Sequence, residues 1–266
     1  MIQPNDLAAE LAGHFFRVDG VEAVALAGSR IASPDPASDI DLYVYTRRDI
    51  PVAEREAIMN RVGGASLANL GLNYWGAGDE WYHAPTGIEV DSMYFEADWM
   101  QARIESVMVD HRASEGYTTC FCYTVRNSKI FYDPNGWFAR LQDLAGQPYP
   151  EELRRNIIAL NYPLLRGIIP AYGHQAEKAA RRGDLVSVNH RLAALLACYF
   201  DILFAFNHVL HPGEKRLVSL ALERCERVPE HMADDVSAVL RLAGSGGEAF
   251  VNDLNRLLDR LDALLA

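Results

Sequence analysis

Ala27-Gly28-Ser29-Arg30-Ile31-Ala32-Ser33-Pro34-Asp35-Pro36-Ala37-Ser38-Asp39-Ile40-Asp41-Leu42 is the stretch on which the fold turns. A short apolar run, Val21–Ala27, ends at Gly28 and reads as a buried strand. Ile40–Thr46 alternates apolar and polar residues, is rich in Ile, Val and Tyr, and reads as the next strand. Asp39 and Asp41 are two apart on an extended chain, so their carboxylates share one face while Ile40 and Leu42 turn to the other. Two carboxylates held together repel unless a cation lies between them. Hard divalent ions, Mg²⁺ above all, prefer such oxygen ligands and bring phosphates with them. Gly28 has no side chain to block a close approach, and the backbone N–H groups beside it, with the Ser29 hydroxyl, suit phosphate oxygens.

Working outward, 1–150 reads as α/β, with helices at about Asp6–Phe16, Ala53–Val62 and Trp99–Val109. A third strand is expected at Ile88–Phe95, and a brief one at Lys129–Tyr132 is stopped by the turn cluster Asp133-Pro134-Asn135-Gly136. From 151 onward the chain reads as nearly all helix: Glu151–Leu165, a long apolar Asp184–Leu210, then Glu214–Arg227, His231–Leu242 and Glu248–Leu265. The fold class expected is therefore α+β in two domains, 1–147 with a mixed sheet and helices and 148–266 a helical bundle.

The 266 residues are 50% hydrophobic and 23% charged, which excludes a disordered or collagen-like chain. Lys and Arg number 25 against 36 Asp and Glu, a formal charge of −11. That balance speaks against nucleic acid and anionic membranes as partners and for cations. The excess is concentrated: 1–150 holds 11 basic and 21 acidic residues, net −10, and the remainder is nearly neutral. The start of the chain has no basic signal region, and no run of about 18 apolar residues is evident, so a cytoplasmic protein is expected. Cys120, Cys122, Cys198 and Cys225 read as reduced thiols, since Cys120-x-Cys122 is too tight for an ordinary disulfide or zinc knuckle.

Asp-x-Asp alone is common as a solvated strand end. The full pattern, Gly28-Ser29, a nine-residue gap and Ser38-Asp39-Ile40-Asp41-Leu42 between two strands, is far more specific. It resembles the signature of the DNA polymerase beta-like nucleotidyltransferase superfamily. The helical second half is similar in arrangement to the kanamycin and lincosamide nucleotidyltransferases. The runs Val188-Asn189-His190-Arg191 and His211-Pro212-Gly213-Glu214-Lys215-Arg216-Leu217 resemble a bacterial family of nucleotidyltransferase-domain proteins of unknown function.

The resemblance implies a nucleotidyltransferase-fold sheet and a reaction that moves a nucleoside monophosphate from a triphosphate, ATP first among them, to a hydroxyl, releasing pyrophosphate. The acceptor expected is a small molecule, with an aminoglycoside-like cation fitting the acidic first half. Asp39 and Asp41 would bind two Mg²⁺ ions, with Mn²⁺ as the alternative, and a third carboxylate on a later strand would complete the second site. Asp91 in Ile88-Glu89-Val90-Asp91-Ser92 fits; Glu89 lies on the same face and is the rival. Gly28 and Ser29 would hold the triphosphate, and Lys215 would reach it from the helical half; Lys215 as an idle side chain at a solvated helix start is the equal alternative. A second class of function is an antitoxin-type nucleotidyltransferase that modifies a protein partner, and a third is a nucleotide-binding scaffold without turnover.

Four further features carry weaker expectations. His208 and His211 are three apart but lack a third ligand, so no zinc site is expected. Ser187 and Asn189–Arg191 either face a cleft or satisfy one another where helices cross. The aromatic segment Tyr74–His83 reads as a loop, with Trp75 or Trp81 either stacking on a ligand or in the core. Asp79 and Glu80 would add an acidic rim suited to a cationic acceptor.

Overall fold

The computed structural model describes residues 3–27, 39–74 and 76–266. The chain divides into two compact units, Met1–Glu105 with Thr124–Gln147, and Ser106–Tyr123 with Pro148–Ala266. The segment 106–123 thus leaves the first unit to lie among the helices, and the chain then returns.

The first unit is built on a six-stranded mixed sheet. Its elements are α1 (Pro4–Phe15), β1 (Val21–Leu26), β2 (Ile40–Thr46), α2 (Val52–Arg61), β3 (Ala65–Leu72), β4 (Ala77–His83), β5 (Glu89–Glu96), β6 (Lys129–Tyr132) and α5 (Trp137–Ala145), with most of α3 (Ala97–Met108) and the second half of α4 (Cys120–Asn127). The strand order is β3-β4-β5-β2-β1-β6. β2 and β5 run parallel, and the other neighbours are antiparallel. Alternation decides the two faces. Val24, Leu26, Ile40, Leu42, Val44, Trp81 and Val90 face one side and bury themselves against Leu7, Leu11 and Phe15 of α1 and Ile58 and Met59 of α2. On the other side Tyr45 is fully buried, its ring 4.7 Å from that of Phe138 on α5 and 5.9 Å from that of Phe95.

β3 and β4 form a hairpin where the sequence reading expected a loop over Tyr74–His83. Their residues, ASLANLGL and AGDEWYH, are poor strand formers. Pairing with β5 and one buried carboxylate hold them instead. Asp79 is 2% exposed and accepts from Arg55 of α2 at 3.0 Å, the Gly71 N–H at 2.8 Å and the Tyr94 hydroxyl at 2.7 Å. The Arg55 guanidinium also lies 4.6 Å from the Tyr94 ring centroid. Burial and the neighbouring Asp79 charge hold the Tyr94 phenol well above its usual range. One carboxylate therefore ties α2, β3, β4 and β5 together.

The second unit contains α6 (Glu151–Tyr162), a π-helical turn at Pro163–Gly167, α7 (Tyr172–Arg181), α8 (Leu185–Phe206), α9 (Leu217–Arg224), α10 (Met232–Ala243) and α11 (Gly247–Leu265). Asp184 caps α8 by accepting the Ser187 N–H at 3.1 Å. Val188, Leu192, Leu195, Tyr199, Ile202 and Leu203 of α8 pack against Val236, Val239, Phe250, Leu254 and Leu258. By length and composition α8 is apolar enough to cross a membrane, and 61% of its most apolar stretch is buried inside the structure. Asn189-His190-Arg191 and Asp201 interrupt its apolar letters, which is why no such run was read from the sequence. All four cysteines are free thiols.

Removing the Asp79 carboxylate leaves the Arg55 guanidinium, 11% exposed, without its counter-charge. Asp79→Ala is expected to cost about 3–5 kcal/mol in urea unfolding, the range for breaking a buried pair from one side. A loss below about 1 kcal/mol, the worth of a surface pair, would contradict this anchoring role.

Candidate active site

The face of the sheet opposite α1 and α2 carries the acidic residues. Parallel pairing sets Asp41 of β2 directly beside Asp91 of β5. Strand neighbours lie about 4.8 Å apart, and parallel partners point to the same side. The next strand continues the row, because Asp91 is opposite Glu80 of β4, and Glu80 is opposite Asn69 of β3. On the inner side, the Ala27 N–H donates to the Asp41 carbonyl at 2.9 Å. Asp39 stands just before β2, one pleat from Asp41. Asp39, Asp41, Glu80 and Asp91 are all half-buried, whereas Ile40, Leu42 and Val90 on the opposite face are fully buried. A hydrophobic core on one side thus forces carboxylates into a line on the other.

Among the described residues, no three His, Cys, Asp or Glu side chains close into a metal cage. What is provided is an oxygen-only donor set on two adjacent strands, which suits a hard divalent cation and not a soft one. Gly28 and Ser29 lie outside the described residues, as does Trp75.

Glu89, the rival third carboxylate, pairs with Tyr82 on β4 and precedes the first β5 residue in register with β2. It is exposed, and its charge is the main cause that raises the Tyr82 phenol above its ordinary value. The acidic rim separates by alternation: Asp79 faces the core side as the buried anchor, and only Glu80 joins the row of Asp41 and Asp91. Trp81 is 4% exposed and belongs to the core.

In the helical unit, Lys215 is exposed in the turn before α9. Ser187 and Asn189 belong to the start of α8, where the Asn189 amide donates to the Leu185 carbonyl of the same helix at 2.9 Å. His208 and His211 diverge. His208 lies 3.1 Å from a Glu151 oxygen at the surface. His211 is fully buried, with its Nδ1 accepting the Gly213 N–H at 3.1 Å and its own N–H donating to Thr119 at 2.7 Å. Burial alone drives the His211 imidazole down to about 4, so it is neutral in the fold.

The sequence reading passed over a second buried carboxylate, Asp201 of α8, which is 1% exposed. It accepts from the Thr118 N–H at 3.1 Å, the Thr118 hydroxyl at 2.7 Å and the Asn161 amide at 3.4 Å. Asn161 accepts the Gly116 N–H at 2.9 Å and donates to the Ser114 carbonyl at 3.0 Å. These bonds hold 114–118 within the helical unit. All three donors to Asp201 are neutral, so burial dominates and pushes its carboxyl up to about 7. A polar residue in a run of apolar helix was the available signal.

A family model described as Domain of unknown function (DUF4037) matches residues 119–217. Both the 188–191 and 211–217 runs fall inside it. No curated protein matches the chain. Among solved structures the chain is similar to a nucleotidyltransferase-like protein from Exiguobacterium sibiricum 255-15, at 12% identity and a TM-score of 0.45, covering 96% of this chain and 74% of that one.

The two perturbed groups of the helical unit predict opposite pH effects. The Asp201 carboxyl keeps its proton in the fold up to about 7, against an ordinary 3.8. Its contribution to stability is therefore full below about pH 4 and is lost as pH rises to about 7. His211 resists protonation down to about 4, against an ordinary 6.5, so its neutral form costs stability as pH falls through that window. Urea unfolding of wild type and Asp201→Asn from pH 4 to 8 should show the difference, wild type minus variant, falling up to about pH 7 and flat above. A difference independent of pH would contradict the assignment.

Proposed function

We propose that this chain is a divalent-metal-dependent nucleotidyltransferase. It would transfer a nucleoside monophosphate from a triphosphate, ATP first among them, to a hydroxyl of a small-molecule acceptor with cationic character. The observation that carries this reading is the parallel register of β2 and β5, which sets Asp41 beside Asp91 on the face away from the core. Asp39, one pleat from Asp41, adds its carboxylate to the pair. The strongly acidic first unit supports a cationic acceptor.

Asp39, Asp41 and Asp91 would hold two Mg²⁺ ions, with Mn²⁺ as a substitute. Bound there, the ions supply neutralisation of the triphosphate and acidification of the acceptor hydroxyl. Asp91 takes the hydroxyl proton at its carboxylate. The acceptor oxygen forms a bond to the α-phosphorus, and the bond from that phosphorus to the pyrophosphate oxygen breaks, with the electron pair leaving on pyrophosphate. In this reading Gly28 and Ser29 would hold the phosphates, by their place in the sequence after Val21–Ala27, and Lys215 the triphosphate, by the motif it stands in. The working compartment in this reading is the cytoplasm, where Mg²⁺ and triphosphates are supplied together.

Mg²⁺ with ATP is expected to raise the melting temperature of wild type more than either alone, and Asp39→Asn or Asp41→Asn to abolish the increment. No shift in wild type at millimolar concentrations of both would overturn the reading. With labelled ATP and a panel of amines, aminoglycosides and lincosamides, mass analysis identifies what gains the nucleotide. Asp91→Asn should then lower kcat by at least about 100-fold with nucleotide affinity little changed, the signature of a group needed only in the transition state. Glu89→Gln should stay within about threefold of wild type. The reverse pattern would move the third carboxylate to Glu89.

A further inference from the structure

Nucleotidyl transfer at Asp41 and Asp91 leaves unassigned the outer half of the same sheet face, where β3, β4 and β5 continue. There Tyr82 lies opposite Leu67 on one side and Glu89 on the other, and the next row inward is Asn69, Glu80, Asp91. Leu67 is 59% exposed and Tyr82 39%. The core needs neither, because Trp81 and Val90 fill the opposite face. The charge of Glu89, and to a lesser degree that of Glu80, acts on the Tyr82 phenol and raises it above its ordinary value. The register therefore flanks the ring with two carboxylates, Glu89 across from it on β5 and Glu80 two residues before it on the same face. An exposed aromatic ring bordered by negative charge attracts an organic cation through both its π-system and the Coulomb field. The surroundings reinforce that field: residues 62–102 contain six Asp and Glu and no Lys or Arg.

We propose that Leu67, Glu80, Tyr82 and Glu89 form the seat of the acceptor and select a small organic cation, with a protonated amine over Tyr82 and Glu80 and an apolar or ring-shaped body against Leu67. This rests on the nucleotidyltransferase reading, because that reading places the reacting hydroxyl at Asp91. The geometry then sets a ruler for the acceptor. Strands lie about 4.8 Å apart and same-face residues about 6.8 Å apart along a strand, so the amine and the modified hydroxyl stand roughly 6–8 Å from each other. The same acidic seat repels the triphosphate, which keeps donor and acceptor on separate halves of the face.

Calorimetry with spermine as the probe, and tetraethylene glycol as its neutral counterpart, tests the seat without any turnover. Magnesium–ATP affinity is measured in the same samples. Wild type should bind spermine and not the glycol. Glu80→Gln and Tyr82→Ala should each weaken spermine binding by about tenfold, and Tyr82→Phe, which keeps the ring, should weaken it by less than about threefold. Glu56→Gln on α2 removes the same unit of charge elsewhere and should change binding by less than about twofold. Equal effects of Glu80→Gln and Glu56→Gln, or full binding by a folded Tyr82→Ala, would overturn the seat and leave the transfer reading standing if magnesium–ATP still binds. Spermine binding that depends on Glu80 and Tyr82 in a protein that does not bind magnesium–ATP would uphold the cation seat and overturn the transfer reading.

Discussion

The site depends on one pairing, the parallel ladder between β2 and β5. Parallel neighbours cannot be joined by a tight turn, so the chain between them, 47–88, must travel out and return. It does so through α2 and the β3–β4 hairpin. The register that results places Ile40 beside Val90 on one face and Asp41 beside Asp91 on the other. A slip of one residue would bury carboxylates and expose the core. The apolar side therefore enforces the acidic side. Repulsion between neighbouring carboxylates is the cost of such an arrangement, and in the proposed function a cation in their midst would relieve it.

Two of the buried carboxylates, Asp79 and Asp201, show two ways of meeting the burial cost. Asp79 has a guanidinium partner, a backbone N–H and a phenol, and joins four elements of the sheet unit. Asp201 has only neutral donors, and its carboxyl rises toward neutrality as a result. Each fixes a segment that local propensity would leave loose: the β3–β4 hairpin in one case and 114–118 in the other. Neither belongs to the acidic row, because each faces the interior of its own unit.

Much of this was legible in the sequence. The alternation of IDLYVYT and IEVDSMYF gave β2 and β5 and their faces, because apolar residues at every second position admit only one orientation; it put Glu89 and Asp91 on the same face and so did not choose between them. The long apolar helix was evident, and its ends shifted by a few residues because Asp184 is the cap and Asn207 the terminus. β3 was not legible: Ala, Ser, Asn and Gly carry no strand preference, and the hairpin owes its shape to Asp79 and to pairing with β5. Glu80 was seen as acidic but not placed, since a loop reading has no faces. With β4 recognised, alternation alone separates Glu80 from Asp79. The inclusion of 106–123 in the helical unit rests on Asn161 and Asp201, contacts 40 residues and more away in sequence, which no local pattern announces.

The central claim is that Asp41 and Asp91, distant in sequence and adjacent in the sheet, act on one bound ion. A double-mutant cycle measures this directly: the affinity for Mn²⁺ in the presence of a non-hydrolysable triphosphate, for wild type, Asp41→Asn, Asp91→Asn and the pair. Residues that share a ligand are expected to show a coupling energy of about 0.5–3 kcal/mol. Losses that simply add would contradict a shared site.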